Sequence, residues 1–324
     1  MKRLIAIFLT LVIIASVFTA CTNTQQAAYP LTVNSTPIDG EIFRYYLDAV
    51  WDSEEAAGTK DGRIDQATYM CIRYVAVNST FLSYSLSLTD AEKAELSAQT
   101  NVLWDMFGEY YGRLGISKET YLKIRTNEEY IEKLRLYFYD KGGTQEISDA
   151  VLRGVLQENF ISFRYVRTPD TNTDVYGNAV SYTDEELQRL TSLYSSAVST
   201  VAPSYGIDKA YSQISPSFPL TEKSYETEVI DRNDHEFSSV FYDTLKTMTE
   251  GTGRIFQYDG YIYLVYRTNI LTEPEAFSEL RGTCLKMVSE EPLQSTINMM
   301  CNAYQSVRDP VTVGEYYKEV GNNR

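Results

Sequence analysis

Apolar side chains recur at helical spacing in several stretches of the chain, and polar breaks separate these stretches. Residues 42–50 place apolar side chains at positions i, i+1, i+4, i+5 and i+8, which lie on one face of a helix. Thr89 and Thr183 each precede a glutamate by three residues, an order typical of a capping box that begins a helix. Helical spacing returns at residues 130–138 and 275–306. The pattern therefore predicts helices in the first and last parts of the chain.

The middle of the chain changes from helical spacing to strand patterns. Residues 160–168 alternate between apolar and polar side chains, which predicts a strand. Two aromatic and β-branched runs flank Asp259 and Gly260, the residue pair that a tight hairpin turn prefers. Residues 169–181 and 203–219 show no regular pattern, and we expect loops there. Strands, short helices and a closing hairpin predict a small α+β domain.

The first residues of the chain have the parts of an export signal. Lys2 and Arg3 precede an apolar stretch at residues 4–18. This stretch is shorter than the ~20 residues that span a bilayer, so it is typical of a signal peptide that is removed. An uncleaved membrane anchor is the alternative.

Residues 17–21, Val-Phe-Thr-Ala-Cys, resemble the lipobox of bacterial lipoproteins. The resemblance implies that residues 1–20 are a lipoprotein signal peptide and that Cys21 carries the lipid. It also implies a lipid-anchored protein on the outer face of the bacterial cytoplasmic membrane. Residues 21–28 are polar and lack a core-forming pattern, so they predict a tether.

Acidic residues dominate the charge of the chain. Loss of Lys2 and Arg3 with the signal peptide changes the net charge from −15 to −17. This sign argues against nucleic-acid binding and against broad electrostatic contact with anionic lipid. The 27 tyrosines and 13 phenylalanines predict cores and grooves rich in amphipathic rings.

Few cysteines and histidines are present, and this limits the chemistry that the chain can perform. Cys71, Cys284 and Cys301 are an odd number, and a single helix over residues 275–306 would hold the last two far apart. We therefore expect buried free thiols. The only histidine, His235, lies between two acidic residues at the start of a helix predicted over residues 234–249, so we expect neither a histidine triad nor a zinc site. No metal and no cofactor is predicted.

Three stretches carry a resemblance to a known family. Residues 33–47 read VNSTPIDGEIFRYYL, residues 147–168 join a short helix to an aromatic strand, and residues 236–265 contain EFSSVF followed by GYIYLV. In this order they resemble the extracytoplasmic foldases of the PrsA and SurA type. Those proteins carry a parvulin prolyl isomerase domain inserted into a helical chaperone domain.

The resemblance implies an α+β fold class with a particular domain order. We expect a helical N-terminal region at residues 29–146 and a parvulin-like α+β domain at residues 147–268. Residues 269–324 would return as a C-terminal helix that packs on the N-terminal region and completes the helical lobe.

The chain departs from the family in the parvulin cleft, where two histidines and an apolar wall surround the prolyl ring. By the resemblance, Tyr165 and Ile262 occupy the histidine positions, whereas Phe237 and Phe241 keep the apolar wall. The family's Gly-Gly-Asp-Leu-Gly stretch has no counterpart. Lowering a barrier of ~20 kcal/mol needs groups placed around the twisting amide. We therefore expect a degenerate cleft without confident catalytic residues.

The resemblance implies a membrane-anchored chaperone or foldase whose partners are unfolded, newly exported polypeptides, and it leaves the oligomeric state open. One alternative is an active prolyl isomerase that works through altered cleft residues such as Tyr165 and His235. Another is a solute-binding lipoprotein, although the chain lacks the alternating β-α units of such receptors. An isomerase assay separates the first two hypotheses, and a thermal-shift screen addresses the third.

Overall fold

The structure is a computed structural model that describes residues 29–56, 58–174, 176–198 and 206–324. The signal peptide, the tether and Cys21 lie outside the described residues, so the expectations for them stay predictions. The chain folds as two compact units. Unit 1 contains the described residues up to Leu134 together with Gln294–Arg324, and unit 2 contains Arg135–Leu293.

Helices and strands alternate irregularly along the described residues. The helices are α1 (Gly40–Ala49), α2 (Lys60–Ser83), α3 (Asp90–Arg113), α4 (Lys118–Tyr139), α5 (Asp149–Asn159), α6 (Asp184–Val198), α7 (Gly206–Ile214), α8 (Ser239–Lys246), α9 (Ala276–Cys301) and α10 (Pro310–Asn323). The strands are β1 (Leu31–Val33), β2 (Thr36–Ile38), β3 (Ile161–Pro169), β4 (Thr171–Thr173), β5 (Ala179–Ser181), β6 (Glu222–Lys223), β7 (Glu228–Ile230), β8 (Gly253–Tyr258), β9 (Tyr261–Arg267) and β10 (Ser306–Arg308). The predicted α+β class is confirmed.

Unit 1 combines helices with a small antiparallel sheet whose strands come from both ends of the chain. Strand β1 lies in the middle, with β2 on one side and β10 on the other. Asn34 and Ser35 both have positive φ angles, of 45° and 69°, and form the tight turn between β1 and β2. Residues near the C-terminus therefore complete a sheet that the N-terminal hairpin begins.

The core of unit 1 forms around α1. The apolar stripe predicted for this helix is confirmed, because its apolar side chains from Ile42 to Leu47 are buried. They share one apolar core with side chains of α2 and α10, among them Cys71 and Val313. The structure also confirms the capping box of α3, where Thr89 Oγ1 accepts the Glu92 N–H and the Glu92 carboxylate accepts the Thr89 N–H.

Unit 2 contains a five-stranded antiparallel sheet. Its order is β6-β3-β9-β8, and β7 also pairs with β3. The predicted hairpin is confirmed: Asp259 and Gly260 have φ angles of 47° and 75° and connect β8 to β9. Helix α8 packs on one face of the sheet, and α6 and α7 pack on the other. Strands β3, β8 and β9 therefore present side chains to two separate cores, one on each side of the sheet.

Two expected loops contain regular structure. Helix α7 lies within residues 203–219, and the strand pair β4 and β5 lies within residues 169–181. Ile207, Ala210 and Ile214 of α7 are buried at helical spacing. Their burial against the sheet outweighs the weak helix propensity of the glycine and serines around them.

The helix predicted at residues 234–249 is shorter than expected. It spans only Ser239–Lys246, because the Asp234 carboxylate accepts the N–H groups of Glu236 and Phe237 and closes a turn there. His235 therefore lies in this turn, before the helix begins, and is exposed.

The three described cysteines are buried free thiols, as expected, and both Cys284 and Cys301 belong to α9. Within the described ranges, no helix has both the length and the apolar character needed to cross a membrane.

Candidate functional site

Three of the four predicted cleft residues lie together on one side of the unit 2 sheet. Tyr165 projects from β3, Phe237 precedes α8 and Phe241 belongs to α8. Their rings join others from β3, β8 and β9 in a cluster that we call the aromatic face. Its members are Phe163, Tyr165, Phe237, Phe241, Phe256, Tyr258, Tyr261 and Tyr263.

The structure does not bring Ile262, the fourth predicted cleft residue, to this cluster. Ile262 pairs with Thr168 and belongs to the core on the opposite side of the sheet, beneath α6 and α7. Side chains alternate between the faces of a strand, so Tyr261 and Tyr263 are the β9 residues that lie on the side of Tyr165.

The aromatic face is closed rather than open. The ring centroids of Phe237 and Phe241 are 4.6 Å apart, and that of Tyr165 lies 6.1 Å from Phe237 and 5.6 Å from Tyr263. Tyr165 keeps only 8% of its surface exposed, and the two phenylalanines still less. These rings therefore pack against one another.

Arg167 lies at the edge of the aromatic face and contacts two of its rings. Its guanidinium lies 4.8 Å from the ring centroid of Tyr261 and 5.5 Å from that of Tyr165. It donates a hydrogen bond of 3.2 Å to Tyr263 Oη and one of 2.8 Å to the Glu222 carboxylate. Arg167 is thus held by aromatic and acidic neighbours.

The protonation states of Tyr165, Tyr263 and Arg167 are fixed at neutral pH. Burial raises the pKa of Tyr165; the charge of Arg167 opposes this effect, and the Glu228 and Glu236 carboxylates add to it. Burial also raises the pKa of Tyr263. Although burial opposes the charge of Arg167, its hydrogen bonds to Tyr263 and Glu222 outweigh this and raise its pKa. The tyrosines therefore stay neutral and the arginine stays charged, which leaves none of these three to exchange protons near neutrality.

A second candidate site lies in unit 1, where an open apolar groove of about 430 Å³ runs between the end of α2, the start of α3 and α4. We call it the leucine groove. Its lining residues are Phe81, Leu82, Leu86, Ser87, Leu88, Lys93, Leu96, Leu122, Thr126 and Tyr130. Leu88 and Leu96 are buried in its floor, whereas Leu82 is 65% exposed. The volume falls in the range typical of ligand sites.

Local sequence explains how the leucine groove forms. Helix α2 ends in a Schellman motif: the Leu86 N–H donates to the Phe81 carbonyl, and the Ser85 N–H donates to the Leu82 carbonyl. Ser85 adopts the left-handed conformation that the motif requires, with φ of 55°. This turns Leu86 back toward Phe81, whose ring stacks on Tyr130 with centroids 3.8 Å apart. The Thr89 capping box then starts α3 on the other side of the groove.

The sequence interpretation did not identify the leucine groove. The sequence does contain a signal for an apolar site: Leu82, Leu86 and Leu88 lie close together where one helix ends and before the next helix begins. Apolar side chains at a helix junction are usually buried, and only the folded chain shows that this groove stays open. No group of three or more metal-binding side chains occurs within the described residues.

The comparisons with known proteins find similarity at the level of structure only. No protein-family profile and no curated protein matches the chain. The chain is similar to the solved structure of the foldase protein PrsA from Streptococcus pneumoniae, with 12% identity over 79% of this chain and 82% of that one and a TM-score of 0.31. It is similar to the foldase protein PrsA from Lactococcus lactis, with 9% identity over 91% and 99% of the two chains and a TM-score of 0.36. PrsA from Bacillus subtilis matches with 12% identity over 82% and 87% and a TM-score of 0.25.

Proposed function

We propose that this protein is a lipid-anchored chaperone that binds unfolded, newly exported polypeptides outside the cytoplasmic membrane, without prolyl isomerase activity. The open leucine groove of unit 1 is the observation that carries this proposal. An exposed apolar surface in a water-soluble unit is typical of an interaction site, because water favours covering it with other apolar groups.

Further exposed apolar side chains support a surface that holds extended polypeptide. Val102, Met106 and Phe107 of α3 are all exposed. A flexible Met side chain on a surface adapts to partners of different shape, which suits a protein that binds many unfolded clients weakly.

The aromatic face supports the absence of isomerase activity. The rings of Tyr165, Phe237 and Phe241 contact other rings and leave little exposed surface. A prolyl substrate would have to displace packed rings, and the neutral tyrosines and the fixed Arg167 offer no proton transfer there. Each tenfold of rate enhancement requires about 1.4 kcal/mol of preferential transition-state stabilisation.

Two assays on the purified mature chain test this proposal. Light scattering of a reduced, unfolded client should show slower aggregation when the protein is present. A protease-coupled assay on proline tetrapeptides should show no isomerisation above the uncatalysed rate. Turnover above that rate would contradict the non-catalytic part of the proposal, and unchanged aggregation would contradict the chaperone part.

A pair of matched variants locates the activity. Leu82→Gln places an amide in the leucine groove, and we expect it to weaken protection against aggregation. Val240→Gln makes the same kind of change at an equally exposed position of α8 in unit 2, where the side chain is 67% exposed, and should leave protection intact.

A further inference from the structure

An acidic cleft adjoins the leucine groove. Leu96 lines both, so the apolar surface passes directly into a cleft of about 120 Å³ between α3 and α4. The other lining residues of this cleft are Glu92, Glu95, Gln99 and Glu129. The arrangement is an apolar site with carboxylates at one end.

Neighbouring lysines compensate only part of this negative charge. The Lys133 ammonium contacts the Glu92 carboxylate, which also caps α3. Lys93, which lines the groove itself, pairs with Asp90 at 3.3 Å.

The remaining two carboxylates are uncompensated. Glu95 accepts a hydrogen bond of 3.1 Å from the neutral Gln99 amide. Within the part of the chain that the structure describes, no cationic side chain lies within ion-pair distance of Glu95 or Glu129. The cleft therefore presents a net negative charge beside an apolar surface.

We propose that the leucine groove and the acidic cleft together bind client segments in which a short apolar run is followed by lysine or arginine. This inference rests on the proposed chaperone function and specifies which clients it prefers. The apolar run occupies the groove, and the basic side chain lies near Glu95 and Glu129.

Charge complementarity selects this occupant over others. Apolar contacts alone hold any apolar segment, whereas charges at the end of the site favour one sign and repel the other. A second copy of this chain is a poor occupant, because the mature chain carries a net charge of −17 once Lys2 and Arg3 are removed from the −15 of the full sequence. Acidic segments are repelled for the same reason.

Fluorescence anisotropy with three labelled peptides tests the inference on the mature protein. The peptides share one apolar core and end in lysines, serines or glutamates. We expect the lysine peptide to bind on the order of fivefold more tightly than the serine peptide, and the glutamate peptide to bind most weakly. The lysine preference should shrink as salt is added.

Two pairs of variants assign the effect to the site. Glu95→Gln combined with Glu129→Gln should remove the preference for the lysine peptide and leave the affinity for the serine peptide unchanged. Glu109→Gln combined with Glu119→Gln neutralises acids on the same two helices outside the cleft, and should preserve the preference. Leu82→Gln should weaken the binding of all three peptides, whereas Val240→Gln should weaken the binding of none.

The outcomes separate this inference from the proposed function. Equal binding of the three peptides, with aggregation still suppressed, would overturn the charge selection and leave the chaperone function standing. Suppressed aggregation that Leu82→Gln does not alter would overturn the site itself. A dimer in sedimentation that Leu82→Gln dissociates would make a second copy the occupant and also overturn the inference. Loss of aggregation control in the wild-type protein would instead contradict the proposed function.

Discussion

The ring of Phe241 packs against several other rings of the aromatic face. Five other rings have centroids between 4.6 and 5.5 Å from it. We expect Phe241→Ala to lower the free energy of unfolding by about 3–5 kcal/mol, because it opens a cavity among packed rings. Urea denaturation followed by circular dichroism measures this change.

An exposed aromatic residue of the same unit provides the control for this change. Tyr225 is 86% exposed, and Tyr225→Ala should change the free energy of unfolding by less than about 0.5 kcal/mol. Similar small effects of both substitutions would show that the aromatic face is loosely packed, and would reopen it as a cleft for substrate.

Glu228 gives the stability of unit 2 a pH dependence of a defined sign. Burial raises the pKa of this carboxyl group, and the carboxylates of Glu236, Asp234 and Glu226 raise it further. Because the folded pKa lies above the unfolded one, the folded state is penalised once Glu228 ionises. This penalty is absent below the unfolded pKa and grows as the pH rises through the folded one.

Glu228→Gln should therefore raise the melting temperature at pH ~7 and leave it unchanged at pH ~3.5, where the glutamic acid is already neutral. Glu315→Gln, on the exposed side of α10, serves as the control and should have no effect at either pH. A stabilisation by Glu228→Gln that is the same at both pH values would point to lost packing strain and contradict the electrostatic explanation.

The C-terminal end of α2 contains a local strain that can be relieved. Ser85 adopts the left-handed conformation of the Schellman motif, which costs about 1–2 kcal/mol of free energy relative to an ordinary helical conformation. Ser85→Gly should raise the free energy of unfolding by about 0.5–1 kcal/mol, since relief of this strain exceeds the entropy that glycine adds to the unfolded chain.

Ser83, which lies inside the last turn of α2, provides a matched control for this change. Ser83→Gly should lower the free energy of unfolding, because glycine weakens a helix interior. Thermal unfolding of the two variants compares them directly, and the same sign for both would contradict the role assigned to Ser85.

Local patterns predicted those elements whose signals lie in neighbouring residues. The stripe of α1, the capping box of α3 and the hairpin at Asp259 and Gly260 each depend on contacts a few residues apart, and all three are confirmed. Helix α7 was missed, because its burial depends on a sheet formed by distant residues. Sequence periodicity cannot supply that partner surface.

The candidate site was predicted only in part, for a related reason. The resemblance placed Tyr165 and Ile262 in one cleft, whereas the register between β3 and β9 puts them on opposite faces. A shift of one residue along a strand moves each side chain to the other face of the sheet. Motif alignment alone does not fix the register between two strands. Whether the leucine groove is open or covered likewise depends on how α2, α3 and α4 pack, which no single stretch of sequence determines.

On the proposed function, a lipid anchor on Cys21 holds the whole molecule at the outer face of the membrane. We expect Cys21→Ser to leave the precursor uncleaved or to release the protein from the membrane fraction, because the substitution removes the thiol that would carry the lipid. Cys71→Ser is the control, since this thiol is buried in unit 1 and should not alter fractionation. Unchanged labelling by palmitate in Cys21→Ser would contradict the anchor.

On the proposed function, unfolded clients contact the leucine groove of unit 1 and not the exposed side of α8 in unit 2. A photoreactive phenylalanine analogue at position 82 and, separately, at position 240 tests this directly, because both positions are exposed to a similar degree. With an unfolded client and ultraviolet light, we predict a covalent adduct from position 82 and none above background from position 240. Equal adducts from both positions, or an adduct from position 240 alone, would contradict the claim.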